Sequence, residues 1–408
     1  MTTTAESTMT TPEQTEERLY PLSDQLNYEA LLTDAEKGQL RKLRAFLDAE
    51  AKPLVADYWS RGEFPTQLIK PLGELNLVTP PELTDGGQSP RSLYEGFRNF
   101  ELARTDASLA TWFNGQTGLF RTAITRGGSD QQVQQWLPQV DSFEMKGCFA
   151  LTEADHGSDI AGGLATSARR NGDTWVINGT KRWIGSAQFA GYMALAARDE
   201  ADGQVKLFLI KTDAPGVTLT TMPGKIALRM VQNADIVLDN VEVSEEYRLA
   251  RVNSFADIAD MLRAMRSGVA WFAAGVQAGA YEAALKYVQE RVQFGRPLSG
   301  FQLIQEHLVS ILSNLTASLG MVVRLSQQQD AGVYRDQDSA MAKAWTCSTM
   351  RQSVASAREI AGGNGVLNSE PVARFFADAE GIYTYEGTRE INTLVVGRAI
   401  TGRSAFTR

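Results

Sequence analysis

The chain has 408 residues, 43% of them hydrophobic and 22% charged, which excludes a disordered, collagen-like or fibrous protein and suggests two or three domains. Forty Lys and Arg against 48 Asp and Glu leave a net charge of −8, so the whole chain carries no footprint for nucleic acid or an anionic membrane. Cys148, Cys347, His156 and His307 are the only residues of their types, too few and too dispersed for a disulfide framework or a zinc site; no metal is expected.

Taken in chain order, the opening MTTTAESTMTTPEQTEE is Thr-rich and has no basic region followed by an apolar stretch. No uninterrupted apolar run approaches the roughly 18–20 residues of a membrane span. The expectation is a cytoplasmic protein with a disordered tail over residues 1–27 and no membrane span. Residues 28–146 predict a helical domain: Leu40, Leu43, Phe46, Leu47 and Leu54 fall near a 3.6-residue period. Pro80-Pro81 and Asp85-Gly86-Gly87 break it, and residues 108–124 read as a largely apolar helix that must be deeply buried. Residues 147–252 predict a β-domain, with β-rich runs at 174–177, 206–210 and 236–243. Asn178-Gly179, between Trp175-Val176-Ile177 and Lys181-Arg182-Trp183-Ile184, predicts a tight hairpin turn. Residues 253–408 predict a helical bundle, because Ile258, Met261, Leu262, Met265, Val269, Phe272 and Val276 step by three and four along one stripe. The order is helical, then β, then helical, with no internal repeat.

Several segments carry chemistry. In Tyr385-Glu386-Gly387-Thr388 a carboxylate stands late in the helical region; walled by apolar groups, its pKa would rise towards that of a working general base. A glutamate beside a glycine is as readily an ordinary helix-end residue. Gly362-Gly363-Asn364-Gly365 can cradle a phosphate or be a tight helix–helix loop, and it lacks the flanks of a P-loop. Leu151-Thr152-Glu153 runs into Ala154-Asp155-His156-Gly157-Ser158-Asp159, a turn able to present Thr152 and backbone amides to a polar heterocycle and Ser158 to a phosphate. His156 and Asp155 read better as surface residues. Trp183 can stack on a flat ligand or belong to a core, and Arg291, in Glu290-Arg291-Val292-Gln293-Phe294-Gly295, can meet a pyrophosphate or cap a helix.

In combination these motifs, with Asn178-Gly179-Thr180-Lys181-Arg182-Trp183-Ile184, resemble the acyl-CoA dehydrogenases from about residue 28 onward. The resemblance implies a fold with an N-terminal helical domain, a middle β-barrel-like domain and a C-terminal four-helix bundle. It implies FAD held between the last two, usually in a homotetramer built as a dimer of dimers. By motif position Leu151 and Thr152 meet the flavin ring, Trp183 packs beside it, and Gly185 and Ser186 lie at its reactive edge. Arg291, Phe294, Gln302, Gly362, Gly363, Thr388 and Glu390 match positions that hold the rest of the cofactor, some across a subunit interface. Ser158 matches a position near CoA, Arg266 an active-site arginine, and Tyr385 and Gly387 flank the substrate. Glu386 matches the catalytic base that takes the α-proton while a hydride passes from Cβ to flavin N5, giving a trans-2-enoyl-CoA.

Lys225-Ile226-Ala227-Leu228-Arg229 and Gly397-Arg398-Ala399-Ile400-Thr401-Gly402 resemble the glutaryl-CoA dehydrogenase branch and its relatives, the plant-type short-chain acyl-CoA oxidases. Ala110 and Ala103 stand where the glutaryl enzymes carry an arginine and a glutamate, which speaks against glutaryl-CoA. Gly185 replaces a common threonine, as in the plant-type oxidases, and would open space at the flavin edge to oxygen. The leading expectation is a dehydrogenase passing electrons to an electron-transfer flavoprotein. An oxidase releasing hydrogen peroxide is the alternative, and a noncatalytic flavin- or acyl-CoA-binding subunit is disfavoured by an intact Glu386. Trp112 suggests a short acyl pocket or a core position. The ending Phe406-Thr407-Arg408 is not a peroxisomal address.

Overall fold

The computed structural model describes residues 18–84 and 89–406. The disordered tail expected over 1–27 lies outside the described residues as far as 17, and from 18 onward it is corrected. Leu19 and Tyr20 are buried against Phe97 and Phe100, and Asp24 accepts the N–H groups of Tyr28 and Glu29 at 3.0 and 2.8 Å. No periodic pattern marks these residues, because they pack as turns rather than as a helix. The Asp85-Gly86-Gly87 break also falls outside the described residues.

The N-terminal helices follow their local signals. Thr33 and Glu36 form a capping box that starts α1 (Asp34–Phe46), which passes through a π-turn into α2 (Lys52–Arg61); a short α3 (Ile69–Glu74) follows. Helix α4 (Ser92–Thr105) is buried nearly all round. The apolar run at 108–124 does not make one helix. Helix α5 (Ala107–Asn114) ends in a π-helical turn at Gly115–Phe120 before α6 (Arg121–Gly127), and α7 (Asp130–Asp141) closes the region.

Among the described residues, seven strands form one curled sheet: β1 (Gly147–Ala150), β2 (Ser167–Asn171), β3 (Thr174–Gly185), β4 (Tyr192–Asp199), β5 (Val205–Lys211), β6 (Val217–Thr221) and β7 (Asn233–Ser244). Their spatial order is β1-β4-β2-β3-β7-β6, with β5 paired on β4. The hairpin expected at Asn178-Gly179 is not there. Strand β3 runs straight through these residues, the register against β7 slips between Ile177 and Gly179, and the reversal comes earlier, where Asn171 pairs with Thr174. Gly179 is a bulge: its φ is +147°, and a Cβ there would stand 2.6 Å from Thr166 Oγ1. The glycine serves a close approach, not a turn.

A capping box at Ser254 and Asp257 starts the 36-residue α8 (Phe255–Glu290), whose Ile258, Met261, Met265, Val269, Phe272 and Val276 are buried as the stripe predicts. A hairpin, β8 (Val292–Gln293) with β9 (Arg296–Pro297), leads to α9 (Gln302–Asp330), α10 (Asp336–Ile360), α11 (Pro371–Thr384) and α12 (Arg389–Thr401). Helix α9 is long and apolar enough to cross a membrane by length and composition alone. Its Leu315, Leu319 and Val322 pack instead with Trp271 of α8 and Ala342 of α10. The result is the expected helical–sheet–helical architecture. Sheet and bundle are joined where Asp378 of α11 accepts Leu228 N–H at 2.6 Å, Trp59 Nε1–H at 2.9 Å and the Ser108 hydroxyl at 3.2 Å.

Candidate active site

Glu386 stands in the link between α11 and α12, and three neighbours fix that link. Lys343 Nζ, fully buried on α10, donates to the carbonyls of Tyr383 at 3.0 Å and Gly387 at 2.5 Å. Asn392 Nδ2 donates to Gly387 O at 2.9 Å, and the Thr388 hydroxyl oxygen caps α12 by accepting Ile391 N–H. Glu386 is thereby held at φ +51°, in the left-handed region. Its Oε1 accepts from Asn114 Nδ2 at 2.8 Å, while Oε2 is buried with no hydrogen-bond partner among the described residues. Burial pushes the Glu386 carboxyl up to about 7, against the opposing pull of the Lys343 cation, the Asn114 hydrogen bond and the Arg266 cation. Arg266 itself is ion-paired with Asp336 at the start of α10. Tyr385 stands beside the base with its hydroxyl 3.3 Å from Thr111 Oγ1, and burial followed by the Glu386 charge raises its pKa. A carboxyl titrating near neutrality with one free oxygen is equipped to take a proton.

The opposite wall comes from the sheet. After β1 the chain turns at Leu151-Thr152, where Lys181 Nζ donates to Leu151 O at 3.1 Å and Arg182 N–H to Thr152 O at 2.8 Å. Lys181 also pairs with Glu153 at 2.8 Å. Burial alone would raise the Glu153 carboxyl, but Lys181 and the bonds from Ala165 and Thr166 outweigh it and hold its pKa at about 2. Trp183 has φ +66° and is 53% exposed, an unusual state for so large a side chain; Asn233 Nδ2 holds its carbonyl at 2.8 Å. Ser186, at φ +64°, donates its N–H to Gln232 O. Thr152, Trp183, Gly185 and Ser186 therefore share one end of the sheet. A Cβ on Gly185 would meet Val231 Cγ1 at 3.3 Å, so any side chain at this position would press on Val231.

The structure does not bring every expected residue into this cleft. Arg291, Phe294 (93% exposed) and Gln302 lie on the surface around the β8–β9 hairpin, where Phe294 packs edge-on against Phe301. The Gly362-Gly363 turn sits by the end of α8, where Tyr287 bonds Ala361 O and Asn364. Ser158 is exposed on the loop that also carries the His156–Asp159 pair, and Glu390 is exposed on α12. Sequence reasoning missed Asn114, Lys343 and Thr111. A lysine within Ser339-Ala340-Met341-Ala342-Lys343-Ala344, amid small residues on a buried helix face, was the one available signal.

The residues fit a flat, partly apolar cofactor. Trp183 offers an exposed ring beside Thr152, Gly362 takes φ +56°, and beyond the adjoining backbone nothing described lies within 4 Å of where a Cβ on Gly362 or Gly363 would stand, which leaves that turn open to a ligand.

Sequence models of the N-terminal, middle and C-terminal domains of acyl-CoA dehydrogenases match residues 33–144, 148–241 and 255–401. The chain is 32% identical over 360 residues to the mitochondrial short-chain specific acyl-CoA dehydrogenase of Rattus norvegicus, covering 86% of this chain and 87% of that one. A glutaryl-CoA dehydrogenase structure from Mycobacterium smegmatis superposes with a TM-score of 0.87 at 33% identity, covering 93% of this chain and 97% of that one. A second from the same organism, in complex with FADH2, gives 0.88 at 30% identity, covering 94% and 98%.

Proposed function

The chain belongs to the acyl-CoA dehydrogenase family, FAD-dependent oxidoreductases of acyl-CoA thioesters, and on that premise we propose that Glu386 is the base that takes the α-proton of a short acyl chain. The carrying observation is the Glu386 carboxyl itself: one oxygen tied to Asn114, the other buried and unpartnered, with a pKa of about 7. Oε2 receives the proton, and the Glu386 N–H donates to the thioester oxygen as charge develops there. When bound, FAD supplies the acceptor for the two electrons leaving Cβ as a hydride. Leu151, Thr152, Trp183, Gly185 and Ser186 hold its ring. Arg291, Phe294, Gln302, Gly362, Gly363, Thr388 and Glu390 would hold the remainder, and the exposure of the hairpin, Phe294 above all, supports its acting on a neighbouring subunit of a homotetramer. Arg266, Tyr385 and Gly387 bound the substrate, with Ser158 towards CoA.

The acyl group we assign is short and uncharged. Trp112, on the helix that carries Thr111 and Asn114, is backed by Phe64 at 4.8 Å and Phe143 at 5.8 Å, and Phe64 in turn by Phe189 at 5.5 Å, an aromatic wall drawn from several segments. Ala103 and Ala110 are fully buried and offer no cation to a distal carboxylate, which argues against glutaryl-CoA. Val231 Cγ1, 3.3 Å from where a Cβ on Gly185 would stand, narrows the space on which the oxidase reading rested, and this supports assigning the electrons to an electron-transfer flavoprotein rather than to oxygen. Anaerobic stopped-flow bleaching of the bound flavin with butyryl-, isobutyryl-, octanoyl- and glutaryl-CoA, followed by air-saturated buffer, tests all of this. Bleaching by the short chains and slow reoxidation are expected; fast reoxidation with peroxide release would make the protein an oxidase. Glu386→Gln should retain FAD and not bleach.

A further inference from the structure

Asn114 is the last residue of α5, 5% exposed, and its amide is the one described side-chain hydrogen-bond donor to the Glu386 carboxylate. The local fold is arranged around that amide. Directly after Asn114 the helix widens into the π-turn of Gly115–Phe120, a departure frequent at functional sites. Within that turn Gly118 leaves the space the amide fills: a Cβ on it would stand 2.0 Å from Asn114 Oδ1 and 2.8 Å from its Cγ. Gly268 of α8 lies alongside, its Cβ position at an ordinary contact distance of 3.7 Å from the same oxygen. Gly118 and the π-turn thus leave a slot for an amide whose Nδ2 meets Glu386.

We propose that Asn114 is a positioning residue for the base, its amide tying down Oε1 so that Oε2 is the oxygen that accepts the substrate proton. This rests on Glu386 being the base. In the step the Cα–H bond breaks, its proton forms an O–H bond with Oε2, and Asn114 donates to Oε1 before and after without exchanging a proton. The charged and titratable groups around Glu386 are Lys343 and Cys347 on α10, Arg266 on α8 with its partner Asp336, and Tyr385 on the same link, with Glu390 beyond Lys343. Lys343 and Arg266 favour the carboxylate, as does the Asn114 donor, so losing that donor moves the titration upward.

The test compares Asn114→Leu, Asn114→Ser and Gly118→Ala with the parent in two measurements on the FAD-loaded protein. One is the pH profile of anaerobic flavin bleaching. The other is an infrared titration of the Glu386 carboxyl without substrate, its band assigned by loss in Glu386→Gln. For Asn114→Leu the acid limb and the carboxyl titration should both rise by about one pH unit, a roughly tenfold loss of bleaching rate on the acid side with a much smaller loss on the alkaline plateau. Gly118→Ala, which touches Glu386 only through the displaced amide, should reproduce the shift, and Asn114→Ser, keeping a donor, should fall between. A lowered plateau with both titrations unmoved would overturn the proposal and leave Asn114 as a pocket wall. If Glu386→Gln bleaches at the parent rate, the base assignment itself fails; a dead Glu386→Gln with an unmoved Asn114→Leu fails the present inference alone. Should the leucine variant lose FAD, the serine and Gly118→Ala variants decide.

Discussion

Glu386→Gln should change stability in a way that depends on pH, because a raised carboxyl pKa is also a statement about folding. The Glu386 carboxyl titrates at about 7 in the folded chain against an ordinary value of 4.5, burial being the chief cause. The folded state therefore binds a proton that the unfolded state has released, and stability falls as pH rises from 4.5 to 7. Below that window the ionisation costs nothing; above it the full cost of about 3 kcal/mol is present. Glutamine does not titrate. It keeps an oxygen for Asn114 but places an amide where Oε2 has no partner, at a cost of about 1 kcal/mol at every pH. The variant should thus be slightly less stable than the parent near pH 5 and about 2 kcal/mol more stable near pH 8. Equilibrium urea unfolding of the FAD-loaded proteins from pH 5 to 8.5 measures it, as a difference in midpoint of roughly half a molar at the alkaline end. Differences, not absolute free energies, are the quantity to compare, since a chain of three regions need not unfold in one step. A midpoint difference that does not vary with pH would show that the carboxyl is not held in its charged form at a cost to the fold.

Trp112→Ala removes the centre of the aromatic wall, so the ratio of kcat/KM for octanoyl- over butyryl-CoA should rise by about tenfold or more; an unchanged ratio would place Trp112 in the core rather than at the pocket. Val231→Ala should speed reoxidation of reduced flavin by oxygen, whereas Gly185→Thr, which forces a Cβ against Val231, should cost about 1–3 kcal/mol of stability that the double variant regains. Equal reoxidation rates in parent and Val231→Ala would mean that Val231 is no barrier. Lys181→Met leaves Glu153 buried without its cation and should destabilise by about 3–5 kcal/mol, with FAD released at lower urea because Leu151-Thr152 loses its anchor. Acid pH should narrow that gap, since protonating the stranded Glu153 removes the uncompensated charge.

What was legible in the sequence divides by range. The α8 stripe and the sheet-to-bundle order are written in local patterns, the spacing of apolar residues and the runs of β-formers. Asn178-Gly179 failed because the pair that favours a tight turn also suits a bulge. The deciding fact, Thr166 pressed against the glycine, belongs to the chain thirteen residues earlier and the fold around it. The N-terminal residues failed for the same reason, Tyr20 being buried by α4, a partner remote in sequence. In the site, Glu386 was visible because its motif is contiguous. Asn114 and Lys343 were not, because one meaning arises only 272 residues away at Glu386 and the other from backbone carbonyls that carry no sequence signature.

Backbone strain marks the same cleft by an independent route. Nine non-glycine residues among those described have positive φ, and three are asparagines, the type best suited to that conformation. Of the other six, Trp183, Ser186 and Glu386 line the cleft. Leu228 hands its N–H to Asp378 and packs on Gly381 of α11; Phe143 supports Trp112; Phe294 tips the hairpin assigned to the cofactor. Each such residue costs about 1 kcal/mol or more, and surroundings that over-determine a strained residue are found mainly where its placement is used. Lys343 and Asn392 on the carbonyls beside Glu386, and Asn233 on that of Trp183, are those surroundings. Asn233→Asp, which removes the donor to the Trp183 carbonyl but keeps an oxygen for Lys225 Nζ, should therefore let Trp183 relax to an extended conformation, lowering FAD affinity while thermal stability without FAD holds or rises. A parallel loss of both would mean that Asn233 supports the sheet and not the ring of Trp183.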